Sequence, residues 1–152
     1  MTSERRSAHS ILLLEDNPAD VMFLEEVLKS SKYQVTLHVV SNGKDALDFL
    51  KRAGKFATAS EPDLIMMDMS LPRLQGETVL QKIKGDPELR MTPIIVFTGS
   101  DAPADVIEAY RAYANSYIVK PVGLDKLTRR METLFEYWFG VAELPIGCRS
   151  GR

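Results

Sequence analysis

Apolar positions along the chain fall into two alternating patterns. Short β-prone runs lie at 10–15 (SILLLE), 34–40 (QVTLHVV), 63–68 (DLIMMD), 93–98 (PIIVFT) and 116–119 (SYIV). Three of these are near-continuous apolar runs, as parallel strands covered on both faces require. QVTLHVV alternates in part and predicts an edge strand. Helical spacing fills the gaps. Asn17-Pro18 predicts an N-cap with proline at the first helical position, and Val21, Leu24, Val27 and Leu28 follow as an apolar stripe. Ala46, Leu47 and Leu50 mark a second helix; Val79, Leu80 and Ile83 mark a third. Val106, Ile107 and Tyr110, behind Asp101 and Pro103, mark a fourth. A fifth covers about 124–139 with Leu127, Met131, Leu134 and Trp138 on one face.

Five strands alternating with five helices predict an α/β fold with a doubly wound, five-stranded parallel sheet and helices on both faces. Right-handed crossovers then place the C-terminal strand ends along one edge, where such sheets carry their sites. The 152 residues suit one core. The pattern divides the chain into a flexible N-terminus (1–9), one domain (10–140) and a C-terminal extension (141–152). The dozen or so residues after the last helix are too few for a DNA-binding module.

Composition narrows the function. A formal net charge of −2 offers no basic surplus for nucleic acid or an anionic membrane. No apolar run approaches the roughly 20 residues that span a bilayer. The polar first ten residues lack the apolar stretch of a signal peptide, and Cys148, as the only cysteine, excludes an intramolecular disulfide. A cytoplasmic protein is expected.

The chemistry collects at the strand ends. Glu15 and Asp16 end the first strand, Asp68 the third and Thr98 the fourth, while Lys120 follows the fifth. Three carboxylates brought together repel and raise one another's pKa. A cation relieves that cost, and an all-oxygen set with room for water suits Mg²⁺. Asp68 can then act as a carboxylate nucleophile toward a phosphoryl group, with Lys120 supplying positive charge and Thr98 a hydroxyl. Taken singly, each residue has an ordinary alternative. Glu15-Asp16 can be solvated loop charges, Asp68 a cap, Thr98-Gly99-Ser100 a turn, and Lys120 an exposed loop lysine. All of them together at one edge is the informative observation. His9, in the polar N-terminus, and His38, in the edge strand, offer no metal-ligand spacing.

These residues resemble two-component response-regulator receiver domains. The likeness is carried by Glu15-Asp16, by DMSLP with Asp68 and Pro72, by Gly76, by FTGS with Thr98 and by YIVKP with Lys120-Pro121. It implies the flavodoxin-like strand order 2-1-3-4-5, which the residue pattern alone does not supply. It also implies that Asp68 is the phosphoacceptor. Asp16, Asp68 and the Ser70 backbone carbonyl would ligate Mg²⁺, Glu15 acting largely through water. Thr98 and Lys120 would contact the phosphoryl group, Tyr117 would be the aromatic switch residue, and Lys120-Pro121 is a candidate cis peptide. Ser70 and Ser100 stand two residues beyond Asp68 and Thr98, at positions that tune phosphoryl hydrolysis in this family. NPADV, KRAGKFATASEPD, ANSYIVKPV and FEYWFGVAELP are similar to the small single-domain receivers that serve phytochrome-type histidine kinases. A sensor histidine kinase of that type is the implied upstream partner, and an unidentified protein the downstream one.

Two other functions compete. A pseudo-receiver would bind partners without phosphorylation, but Asp16, Asp68, Thr98 and Lys120 are all present. A phosphatase of the dehalogenase-like class needs a second aspartate two residues after the nucleophile, where Ser70 stands. The C-terminal helix adds a further expectation. If Leu127, Met131, Leu134 and Trp138 cover the sheet, then Phe135, Tyr137, Phe139, Val141 and Leu144 are left over, and a homodimer would cover them. The alternative is a tail that folds back over its own domain.

Overall fold

The computed structural model describes residues 8–69 and 76–145. Five parallel strands, β1 (Ala8–Leu14), β2 (Gln34–Val40), β3 (Leu64–Met67), β4 (Ile94–Thr98) and β5 (Ser116–Val119), form one sheet in the order β2-β1-β3-β4-β5. The helices are α1 (Pro18–Lys29), α2 (Gly43–Lys51), α3 (Gly76–Gly85), α4 (Pro103–Arg111) and α5 (Leu124–Phe135). Among the described residues no helix is long and apolar enough to cross a membrane.

Alternation along the strands feeds two cores. Leu12 and Leu14 of β1 join Ile65, Met67, Ile94 and Val96 beneath α2 and α3. Ile11 and Leu13 face the other way, with Leu64, Met66, Ile95 and Phe97 against α1 and α5. β1, β3 and β4 are thus covered on both faces, as their continuous apolar runs required, and partly exposed β2 is an edge strand.

Several expectations are corrected. β1 begins at Ala8, paired with Gln34, so the boundary drawn before Ser10 falls inside the strand. His9 is buried rather than part of a polar tail. Its ring stacks on Phe139 at 4.1 Å, and its Nδ1 lies 3.6 Å from Asp63 Oδ2. Phe135 and Phe139 are buried as well. Phe135 lies four residues after Met131 and Phe139 four after Phe135, so a stripe of ordinary helical width takes both inward. The helix widens into a π-helical turn over Glu136–Val141, and Leu144 beyond it also packs against this core. Only Tyr137 and Val141 of the leftover apolar set are exposed. In α4 the expected stripe is turned outward: Ile107 and Tyr110 are half exposed, and Ala109 makes the buried contact. The Lys120-Pro121 bond is trans, the isomer an X-Pro bond favours by about 0.5–1 kcal/mol. Ser70, Pro72 and Cys148 lie outside the described residues.

Candidate functional site

Sheet register brings the chemistry together. Leu14 pairs with Met67, so Glu15 and Asp68 leave neighbouring strands side by side at the point where strand order reverses. Thr98 pairs with Val119, and the Lys120 N–H donates to the Thr98 carbonyl at 2.7 Å. The Lys120 backbone is therefore held beside Thr98, one strand away from Asp68, and its side chain spans that distance.

The Lys120 side chain is not the exposed loop lysine that its place at a strand end allowed. It is 16% exposed, and its Nζ donates to Glu15 Oε1 at 2.8 Å, Asp20 Oδ2 at 2.8 Å and Asp68 Oδ2 at 2.9 Å. Their side chains are 3%, 36% and 5% exposed respectively. Burial opposes the ammonium, but the three carboxylates, Asp20 first, outweigh it and raise the Lys120 pKa. Burial also pushes the Glu15 carboxyl above its ordinary value; Lys120 pulls against this and Asp68 adds to it.

Asp20 was not anticipated. The first turn of α1 places it, through the Asn17 cap, whose Oδ1 accepts from Ala19 N at 2.9 Å and Asp20 N at 3.4 Å. An acid in a helix's first turn is favourable in its own right, so its residue type alone did not mark Asp20 out. Its position one helical turn after Asp16, in the helix that leaves the site edge, was the available signal.

The other expected residues divide. Thr98 is buried, and its Oγ1 has no hydrogen-bond partner among the described residues. A buried hydroxyl left without a partner costs free energy, which a ligand oxygen would relieve. The Tyr117 hydroxyl donates to the Ser100 carbonyl at 2.9 Å, linking β5 to the loop after Thr98. Burial raises its phenol pKa. Asp16 is exposed and stands outside the Lys120 cluster. Among the described residues no three histidine, cysteine or acidic side chains are arranged to hold a metal ion, and the Lys120 ammonium lies between Glu15, Asp20 and Asp68. The donor chemistry nonetheless fits a hard cation. Three carboxylates face one ammonium, with Asp16 nearby, and the surplus is negative oxygen.

Gly76 opens α3 against the loop that follows Asp68. A Cβ there would sit 2.7 Å from Met69 Cα, so only glycine allows this approach. On the other side of Lys120 a groove of about 240 Å³ opens, with Phe23, Val122 and Leu124 among its apolar walls.

The sequence matches the response regulator receiver domain family over residues 11–132. Response regulator Rcp1 of Synechocystis sp. is 34% identical over 145 residues, spanning 95% of this chain and 99% of the relative. The crystal structure of the phosphorylated cyanobacterial phytochrome response regulator RcpA superposes with a TM-score of 0.85 at 36% identity, covering 91% of this chain and 99% of that one. The Mn²⁺-bound form of Rcp1 gives 0.82 at 34% identity, covering 90% and 99%.

Proposed function

The chain belongs to the response regulator receiver domain family, and from that premise we propose that it is a single-domain response regulator that takes a phosphoryl group onto Asp68 from a histidine kinase. The observation that carries this reading is the pairing of Asp68 with Lys120 beside the unpartnered Thr98 hydroxyl. In the transfer, an Asp68 carboxylate oxygen bonds to the phosphorus of a phosphohistidine as the phosphorus–nitrogen bond breaks. The electron pair of that bond returns to the imidazole. Lys120 directs charge to the incoming phosphoryl oxygens, and Thr98 Oγ1 donates to one of them. A divalent cation, Mg²⁺ in this proposal, would be held by Glu15, Asp16, Asp68 and the Ser70 carbonyl and would neutralise charge on the transferring group. Tyr117 would release the Ser100 carbonyl as Thr98 moves, carrying the change to the surface around α4 and β5. Water attack on phosphorus later breaks the Asp68 oxygen–phosphorus bond, releasing inorganic phosphate and restoring the carboxylate. The protein thus serves as a phosphoacceptor that assists its own phosphorylation and hydrolysis, and works in the cytoplasm through protein partners.

The likeness to RcpA and Rcp1 supports a phytochrome-type kinase as donor. Self-association through the C-terminal region has a smaller footing than the sequence implied, since among the described residues of that region Tyr137 and Val141 are the large apolar side chains still exposed. Transfer from a purified, autophosphorylated phytochrome-type kinase should be rapid, abolished by EDTA and markedly faster than from an unrelated histidine kinase. Equal rates from both would remove the phytochrome assignment. Transfer that persists unchanged in EDTA would remove the metal. Sedimentation of the wild type and of Tyr137→Glu, with and without beryllofluoride, tests the dimer; monomers throughout at tens of micromolar would reject it.

A further inference from the structure

We propose that Asp20 is a positioning residue for the phosphorylation chemistry: it holds the Lys120 ammonium in the unphosphorylated site and yields it to the phosphoryl group. The inference rests on the reading that Asp68 is the phosphoacceptor. An ammonium has three donors, and Glu15, Asp20 and Asp68 engage all three. Lys120 is therefore fully partnered where Thr98 Oγ1 is not. A phosphoryl group brings three strong acceptor oxygens and nearly two negative charges. Phosphorylation weakens the Asp68 carboxylate as an acceptor and releases one donor. Glu15 and Asp20 hold the other two, and they decide how far the ammonium can turn.

These two carboxylates are not equivalent. Glu15 is almost fully buried at the end of β1, and its second oxygen accepts from the Asn17 N–H at 3.2 Å. Stripping the ammonium from it would leave a buried charge unpaired, which is costly. Asp20 is about one third open to solvent on the first turn of α1, so water can replace the ammonium there. Asp20 is thus the partner that exchanges, and its charge sets how tightly the resting site retains Lys120.

Asp20→Asn keeps the shape and drops the charge. With acetyl phosphate as donor, the Asp68 oxygen–phosphorus bond forms as the phosphorus–oxygen bond to acetate breaks, and acetate leaves with the electron pair. At saturating Mg²⁺ the initial rate should rise roughly two- to fivefold, the range for an ion pair this open to water. Asp20→Glu, which restores the charge, should return the rate toward wild type. The ¹⁵N signal of Lys120 Nζ should shift in Asp20→Asn and recover in Asp20→Glu. A residue that merely caps α1 would lower the unfolding midpoint without raising the rate or moving that signal. An Asp20→Asn rate equal to or below wild type overturns the inference. Asp68→Asn, assayed alongside, separates the two levels. If it still incorporates phosphate at the wild-type rate, the phosphoacceptor reading itself is wrong. If it is inert while Asp20→Asn matches wild type, only the role of Asp20 falls.

Discussion

Replacing Lys120 by alanine removes the one ammonium that three carboxylates share, and the cost can be worked from their surroundings. Glu15 and Asp68 are nearly inaccessible to water, while Asp20 is about one third exposed. Removing one partner of a buried ion pair costs about 3–5 kcal/mol. Two features reduce this here: Asp20 can rehydrate, and Glu15, whose pKa is already raised by burial, can take up a proton. About 2–3 kcal/mol should remain, well above the few tenths typical of a surface lysine. With a urea dependence near 2 kcal/mol/M, the unfolding midpoint should fall by roughly 1–1.5 M. Fluorescence of Trp138, packed partly against the α1–α5 core, can follow the transition.

Divalent cation should restore much of the loss, because it supplies the missing positive charge. The pH dependence has a definite sign. A carboxyl whose folded pKa lies above its unfolded value binds more protons in the folded state between the two. Stability then falls as pH rises through that window. Losing Lys120 raises the Glu15 pKa further, so the deficit of the variant should be full above that raised value and shrink as pH is lowered through it. A Lys120→Ala midpoint within about 0.3 M of wild type, in EDTA at neutral pH, would refute the reasoning.

Four further outcomes are expected. Phe139→Ala should cost about 3–5 kcal/mol in urea unfolding because the ring is buried between His9 and Phe135; a loss under 1 kcal/mol would place it outside the core. Phe135→Asp should accordingly unfold the domain rather than merely separate a dimer. Burial pushes the Lys84 ammonium down to about 8, where it donates to the Arg90 and Thr92 carbonyls and to Asn115 Oδ1. Because the unfolded chain then binds more protons between pH 8 and 10.5, wild-type stability should rise relative to Lys84→Met across that window; a flat difference would contradict it. Gly76→Ala should lower the melting temperature and slow phosphorylation together, since its Cβ must displace Met69, next to Asp68. An unchanged rate would mean that the loop absorbs the methyl group without moving Asp68.

The sheet was legible because each strand carries its own short-range pattern, and the continuous runs of β3 and β4 say directly that both faces are covered. Glu15, Asp68, Thr98 and Lys120 were legible for the same reason: strand ends fix their place on one edge. Asp20 was not, because an acid in a helix's first turn looks the same whether or not it reaches an ammonium. His9 was misplaced because its burial depends on Phe139, at the far end of the chain, which no local pattern reports. Phe135 and Phe139 were misassigned by drawing the α5 stripe too narrowly. The outward face of α4 was missed because the buried contact is made by Ala109, too small to register against Ile107 and Tyr110.

The central claim is that Asp68 forms an aspartyl phosphate, and locating the phosphoryl group tests it most directly. Wild-type protein treated with acetyl phosphate and Mg²⁺, then reduced with borohydride, should yield homoserine in place of aspartate at residue 68. Peptide mass spectrometry reads that conversion. Asp68→Asn should incorporate no phosphate and show no conversion at any other acidic residue. Homoserine appearing at Asp16 or Asp20 with residue 68 unchanged would contradict the account, as would undiminished labelling of Asp68→Asn.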